Sequence, residues 1–323
     1  MFKTSILLLA TVIASSFIKQ GHERKIINVT GTRFFYPLVE KWAEEFKKEN
    51  PDVEIVVRFG LQNADISMTG TPVDKENPGE GKYTVVSRFA VVPIINEQNP
   101  AWTELQKRGL SKTDFEKIYF RGDQEQNSFV INSGVAVPIR VYTRGACASA
   151  TFSRHFGKQI NDLANLDTKI ADDKVLLQNV LNDSLGVAYN NLGFVYDLQT
   201  RKQVPGIKVV PVDLNGNGKI DSDENFYDNL DQLIQQLETA NTDLPPVGKM
   251  VFIYKEDKPE VKDFVNWIQT KGQQYNHSLG FLNAEQGVYS FTFFHRSRLN
   301  ASTCVAFPSL SLVNFSGNCR SLQ

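Results

Sequence analysis

The chain has 323 residues, enough for two lobes that each bury a core of their own. Lysine and arginine number 35 against 36 aspartates and glutamates, and 41% of the residues are hydrophobic. A folded protein is expected, with no basic excess for nucleic acid and no acidic block, so any anion site must be local.

The N-terminus reads as an export signal. Lys3 supplies the positive start, Ser5 to Ile13 is apolar, and Ala14-Ser15-Ser16 offers small residues for cleavage, giving a leader over 1–16. The apolar run is too short to span a membrane, and no cysteine follows it to carry a lipid. A buried first strand or helix is the alternative.

Lys25 to Thr30 predicts a strand ending at Gly31, followed by a helix from about Phe35 with Pro37 in its first turn. Leu38, Val39, Trp42, Ala43 and Phe46 form one apolar stripe, and Pro51 stops it. Val53 to Phe59 and Asp65 to Met68 predict two more strands. Val85 to Ile95 is a near-continuous apolar run, suited to a strand buried on both faces or a crossover between lobes. Ser111 and Asp114 form a capping box for a helix through Tyr119. Pro138 to Thr143 reads as a strand that turns at Arg144-Gly145 into a helix near Ser149. Ile207 to Val212 is a strand, Phe226 to Glu238 a helix, Lys249 to Tyr254 a strand, and Pro259 opens a helix ending near Gly272. Strands and helices alternate, which indicates an α/β architecture. From about Val288 the tail is rich in serine and phenylalanine and has no clear period.

The three cysteines, Cys147, Cys304 and Cys319, match no zinc spacing. Cys304 and Cys319 could pair in an oxidising compartment, leaving Cys147 over.

Two strand-to-helix junctions can hold an anion. A helix start presents unpaired N–H groups and partial positive charge. At the first, Gly31 to Tyr36, Thr32 and Arg33 could add side-chain donors; the plainer reading is a turn with a capping threonine. At the second, Tyr142 to Phe152, small residues allow close backbone approach and Arg144 offers a planar fork for two oxygens. The plainer reading there is tight helix packing beside a surface arginine.

In their order, these motifs resemble the phosphate-binding proteins of ABC importers. Gly31-Thr32-Arg33-Phe34-Phe35-Tyr36-Pro37-Leu38 with Trp42 is similar to the family's first motif, and Ala64-Asp65-Ile66 to its second. Phe89 to Asn96 with Asn99-Pro100 resembles the lobe crossover. Leu110-Ser111 through Phe120 and Gly122, Arg144 to Thr151, and Lys258 to Trp267 follow in turn. The resemblance covers roughly residues 25 to 285. There are departures: only Gly60-Leu61-Gln62-Asn63 remains of a Gly-Ser-rich loop, so Gln62 or Asn63 would replace its serine. Phe34 falls at a hydroxyl position and can serve only through its N–H. The usual Ser-Gly-Thr after the arginine is Ala148-Ser149-Ala150.

The resemblance implies a type II, periplasmic-binding-protein-like α/β fold with a cleft between lobes. Lobe one would comprise 25–94 plus 247–287 and lobe two 95–246, with 288–323 unassigned. Inorganic phosphate would bind at Thr32, Arg33, Phe34, Phe35, Asp65, Arg144, Ala148 and Ser149. Asp65 is the expected selector, because its carboxylate can accept the proton that phosphate retains and sulfate lacks. The implied partners are ABC importer membrane subunits; the protein would be exported, monomeric and not an enzyme. Tungstate, molybdate and arsenate are alternative ligands. A calcium-stabilised phosphate-ester hydrolase is a second class, disfavoured by four scattered histidines.

The most specific single motif is Asp213-Leu214-Asn215-Gly216-Asn217-Gly218-Lys219-Ile220-Asp221-Ser222-Asp223-Glu224, which fits an EF-hand calcium loop. Asp213, Asn215, Asn217, Asp221 and Glu224 would supply side-chain oxygens to Ca²⁺ and Lys219 its carbonyl. A strand precedes it, so the expectation is a structural staple on a lone loop; an ordinary Asn/Asp/Gly turn is the alternative.

Overall fold

Strand β1 (Lys25–Gly31) passes through a 3-10 turn, Arg33–Phe35, into helix α1 (Tyr36–Glu49). Leu38, Val39, Trp42 and Phe46 lie on the buried face of α1, as their helical spacing requires. Gly31 has φ +134, and a Cβ there would lie 2.0 Å from the Met68 carbonyl, so only glycine can end β1 this close to its neighbour. Strands β2 (Val53–Val57) and β3 (Ile66–Thr69) flank β1 in parallel.

The computed structural model describes residues 24–70, 81–120, 128–130, 136–167, 169–239, 245–255, 257–285 and 290–292. The expected export signal, Cys304 and Cys319, and all of the tail except 290–292 lie outside the described residues.

The chain continues through β4 (Lys82–Asn96), α2 (Trp102–Arg108) and α3 (Lys112–Tyr119), the last opened by the expected Ser111–Asp114 capping box. The strand expected over 138–143 is broken into pieces, since Pro138 has no N–H for a ladder. After β5 (Ser128–Val130) come β6 (Ala136–Pro138), β7 (Arg140–Val141) and β8 (Thr143–Arg144), each pairing with a different partner. Helix α4 (Cys147–His155), β9 (Leu166–Asp167), α5 (Asp173–Leu181), β10 (Gly186–Asn191), α6 (Leu192–Val195) and β11 (Ile207–Val209) follow. Helix α7 spans Leu230–Thr239 and starts later than expected, because Asn229 Oδ1 accepts from the amides of Asp231 and Gln232 and caps it there. Strand β12 (Val247–Tyr254), α8 (Pro259–Thr270) and β13 (Ser290–Thr292) complete the order. The last places a short strand in a tail with no periodic signal.

Two lobes share one strand. The sheet order is β2-β1-β3-β12-β4-β10-β7, with β11 and β13 also on β4. Along β4 the partner changes: Lys82 to Ala90 pair with β12, and Val91 to Ile95 with β10. The apolar run expected as either a buried strand or a crossover is therefore both, and every residue from Phe89 to Asn96 is buried.

Candidate functional site

The two junctions meet. The 3-10 turn after β1 belongs to the first lobe and the start of α4 to the second, and Thr32 Oγ1 donates to Cys147 Sγ across 3.4 Å. Thr151 Oγ1, one turn further along α4, donates to the Gly70 carbonyl at 2.9 Å, just beyond the carboxyl end of β3. Both junctions thus lie at the carboxyl ends of parallel strands, the edge at which ligands of α/β proteins bind.

On the first side, Thr32 N donates to the Met68 carbonyl at 3.1 Å and Phe35 N to the Thr32 carbonyl at 3.2 Å. Among the described residues no acceptor takes the amides of Arg33 or Phe34. Arg33 is exposed and its guanidinium lies 5.5 Å from the Phe59 ring centroid. The rings of Phe34 and Phe35 pack with Phe89 and Phe281, so these two residues can offer only backbone to a ligand.

On the second side, the amides of Ala148 and Ser149 have no acceptor among the described residues, and no side chain caps α4. The Ser149 hydroxyl is already engaged: it donates to the Arg144 carbonyl and accepts from Tyr189 Oη at 2.9 Å. Its contribution is its amide. Arg144 is 9% exposed rather than on the surface. Its Nη1 donates to Asp173 Oδ1 at 3.0 Å, its Nη2 to the Ala171 carbonyl at 2.9 Å, and its Nε to the Ile170 carbonyl at 3.5 Å. Of five guanidinium N–H groups, one on each terminal nitrogen stays uncommitted by these bonds. Burial pushes the Asp173 carboxyl up, and the opposing pull of Arg144 does not cancel it.

Asp65 is a correction. The register Val29 to Ile66 and Gly31 to Met68 sets it beside Asn28, four residues back from Thr32. At about 3.3 Å per residue it lies ~13 Å from the turn, at the wrong end of β3. Its Oδ2 accepts from the Asn28 amide at 2.8 Å and its Oδ1 pairs with Lys258 Nζ at 2.6 Å. Burial raises its pKa, but the Asn28 amide and Lys258 outweigh that and hold it below the usual carboxylate range. It is a structural carboxylate tying β3 to the start of α8, and it cannot select the ligand.

Sequence reasoning missed Asp173 because it missed α5. The available signal was Asp172-Asp173 ahead of Leu176, Leu177 and Val180, and Asp172 does cap that helix through the Val175 amide at 2.9 Å.

The loop from Asp213 to Glu224 lies apart from the cleft, packed on α2. Asp213 accepts from the amides of Gly216, Asn217 and Gly218, and Glu224, only 2% exposed, from those of Leu214, Asn215 and Asp221. Gly218 has φ +80 at the sharp turn. Ile220 N bonds the Lys107 carbonyl at 2.7 Å, which turns Ile220 inward. The Asp221 carboxylate meets Asn215 and Asn217 Nδ2 and Lys219 Nζ, and hydrogen bonding to Lys219 foremost holds its pKa at about 2. Among the described residues no three carboxylate, imidazole or thiol groups converge as a metal cluster. An ion here would draw on amide and carbonyl oxygens as well.

No helix among the described residues is long and apolar enough to cross a membrane. Protein SphX of Synechococcus elongatus is 24% identical over 342 residues, spanning 96% of this chain and 93% of that protein. A phosphate ABC transporter substrate-binding protein solved with bound phosphate, from Clostridium perfringens, superposes with a TM-score of 0.56 at 15% identity, covering 81% of this chain and all of that one. An ABC-type phosphate transport receptor from Vibrio cholerae gives a TM-score of 0.55 at 14% identity over 80% of this chain and all of that one. Both show the same fold. The family model of the PBP superfamily domain matches residues 19–271, well over half of the sequence, and the chain accordingly belongs to the PBP superfamily.

Proposed function

We propose that the chain is an exported, non-catalytic solute-binding protein that captures inorganic phosphate or a similar oxyanion between its lobes and delivers it, as a monomer, to the membrane subunits of an ABC importer. The observation that carries this reading is the meeting of two helix starts from different lobes at the Thr32–Cys147 contact, with unclaimed amides on both sides. Arg144 adds a cation beside them. Amides and one guanidinium suit the holding of an anion; among the described residues no nucleophile, base and orienter come together there. The two solved structures named above, a substrate-binding protein of a phosphate ABC transporter with bound phosphate and a phosphate transport receptor, support the ligand class.

Calorimetry on protein stripped of bound anion by unfolding and refolding tests it, using phosphate, arsenate, sulfate, molybdate and tungstate. Saturable phosphate binding without turnover of a phosphate-ester panel is expected. Heat from none of these anions overturns the reading, and ester turnover shifts it to the hydrolase.

Calcium is proposed for the 213–224 loop. Three carboxylates, two amides and one carbonyl fall at the positions a calcium loop uses, and this donor set fits a hard cation. Bound calcium would staple the loop to α2 and play no part in anion capture.

A further inference from the structure

Strand β10 ends in a buried side-chain amide that lies near the Asp173 carboxylate and makes no full hydrogen bond within the described residues. Asn191 is 4% exposed, and neither its Oδ1 nor its Nδ2 has a hydrogen-bond partner among the described residues. It stands at the N-cap of the short α6 but makes no capping bond with its side chain. Its proximity helps hold the Asp173 carboxyl charged, yet both polar atoms fall short of a hydrogen bond, and native proteins seldom keep a buried amide so poorly satisfied without a use.

Its position is informative. Tyr189 precedes it by two residues, so both project from the same face of β10. Tyr189 reaches Ser149 on α4 and stacks on Phe152 with ring centroids 4.0 Å apart. Two residues further along the strand is about 7 Å nearer the carboxyl edge of the sheet, which is level with the start of α4. The parallel register agrees as far as it runs: Gly186 lies opposite Arg140 and Val187 opposite Val141, and the Tyr142 amide donates to the Val187 carbonyl, so both chains run toward the start of α4. Asn190, next to it, donates to the Asp173 carbonyl at 2.8 Å, and Asp173 holds Arg144. On its other flank Asn191 pairs with Val91, the first β4 residue of the second lobe. Asn191 therefore sits at the seam of the lobes, beside the Arg144–Asp173 pair and the free amides of α4.

We propose that Asn191 contacts the bound oxyanion directly and is the residue that selects a protonated tetrahedral anion over a fully deprotonated one. This rests on the oxyanion reading of the cleft. The Nδ2 group donates to an anion oxygen, and Oδ1 accepts from the hydroxyl that phosphate retains at neutral pH. Sulfate has no such proton and meets Oδ1 with a lone pair, leaving both acceptors unpaired in a closed cleft. The carboxylate expected for this task, Asp65, is too far away, and Asn191 supplies the missing acceptor without placing a second negative charge beside the ligand.

The test measures phosphate and sulfate affinities by calorimetry on the stripped full chain and on Asn191→Ala, with melting temperature for each. Phosphate binding is expected to weaken at least tenfold while sulfate binding changes little, so the ratio narrows. Without ligand the melting temperature should fall little, since only a weak contact with the Asp173 carboxylate is lost; a purely structural asparagine would lower it and leave the ratio alone. If Asn191→Ala does not fold, Asn191→Asp keeps the shape and the acceptor but loses the donor, and both anions should weaken, sulfate the more. A folded variant of either kind with an unaltered ratio overturns the assignment. Absence of any oxyanion binding by the wild-type protein would instead remove the reading beneath it.

Discussion

Replacing Asp173 by asparagine removes the charge that faces a buried guanidinium and keeps the volume. Arg144 is 9% and Asp173 5% exposed, and the pair is joined at 3.0 Å. Breaking a buried ion pair from one side costs about 3–5 kcal/mol, because the remaining charge keeps its desolvation penalty. The carbonyls of Ala171 and Ile170 still accept from Arg144, which places this case toward the lower figure. At roughly 2–4 °C per kcal/mol for a chain of this size, the melting temperature should fall by about 6–12 °C in anion-free buffer. The site adds a second consequence. If Arg144 also faces the ligand, phosphate becomes the replacement counter-charge and binds the variant more tightly. A tenfold gain in affinity is about 1.4 kcal/mol, so millimolar phosphate should raise the variant's melting temperature by roughly 3–6 °C more than it raises the wild type's. Scanning calorimetry of both proteins, with and without phosphate, reads both effects. Equal phosphate-induced shifts would show that Arg144 is a lobe-internal cation and not a ligand group.

Calcium should stabilise the protein in proportion to the logarithm of its free concentration, about 1.4 kcal/mol per decade above the dissociation constant, and Glu224→Gln should abolish that slope; a melting temperature identical in chelator and in millimolar calcium would dismiss the calcium site. Asp65→Asn should cost about 1–2 kcal/mol of stability and leave the phosphate-to-sulfate ratio intact. Because the folded pKa of Asp65 is depressed, its contribution is present above the unfolded value and lost as pH falls through the folded one, so this variant should show a flatter stability profile below about pH 4. A changed anion ratio in Asp65→Asn would return that residue to the cleft.

Much of the fold was legible because it rests on period and punctuation. The α1 stripe, the Ser111–Asp114 box and Pro259 at the start of α8 each have a local cause, and each lies where the sequence puts it. The helix starts of the site were legible for the same reason. Its long-range partners were not. Strand β10 reads Gly-Val-Ala-Tyr-Asn-Asn, polar at its end and yet buried throughout, so hydropathy conceals it. Asp173 is visible only once α5 is placed beside β8. Asp65 misled because a short strand has two ends, and residue type alone does not say which end reaches the cleft; the register of Gly31 with Met68 decides it.

The chain passes between the lobes twice, and the two passages lie side by side. Ala90 pairs with Val247, and the Val91 amide donates to the Pro246 carbonyl at 3.0 Å, so the seam is a two-stranded antiparallel ribbon. Such a ribbon resists shear, since sliding one strand along the other would break its whole ladder at once. It yields to flexing across its thin dimension through small changes in a few backbone angles. Displacement then grows with distance from the ribbon, as along a lever. Val91 and Asn191 are cross-strand partners beside the fulcrum and keep nearly fixed spacing. A ligand contact at that point would keep its geometry while the lobes flex, so the step that tells one anion from another is mechanically insulated from opening and closing.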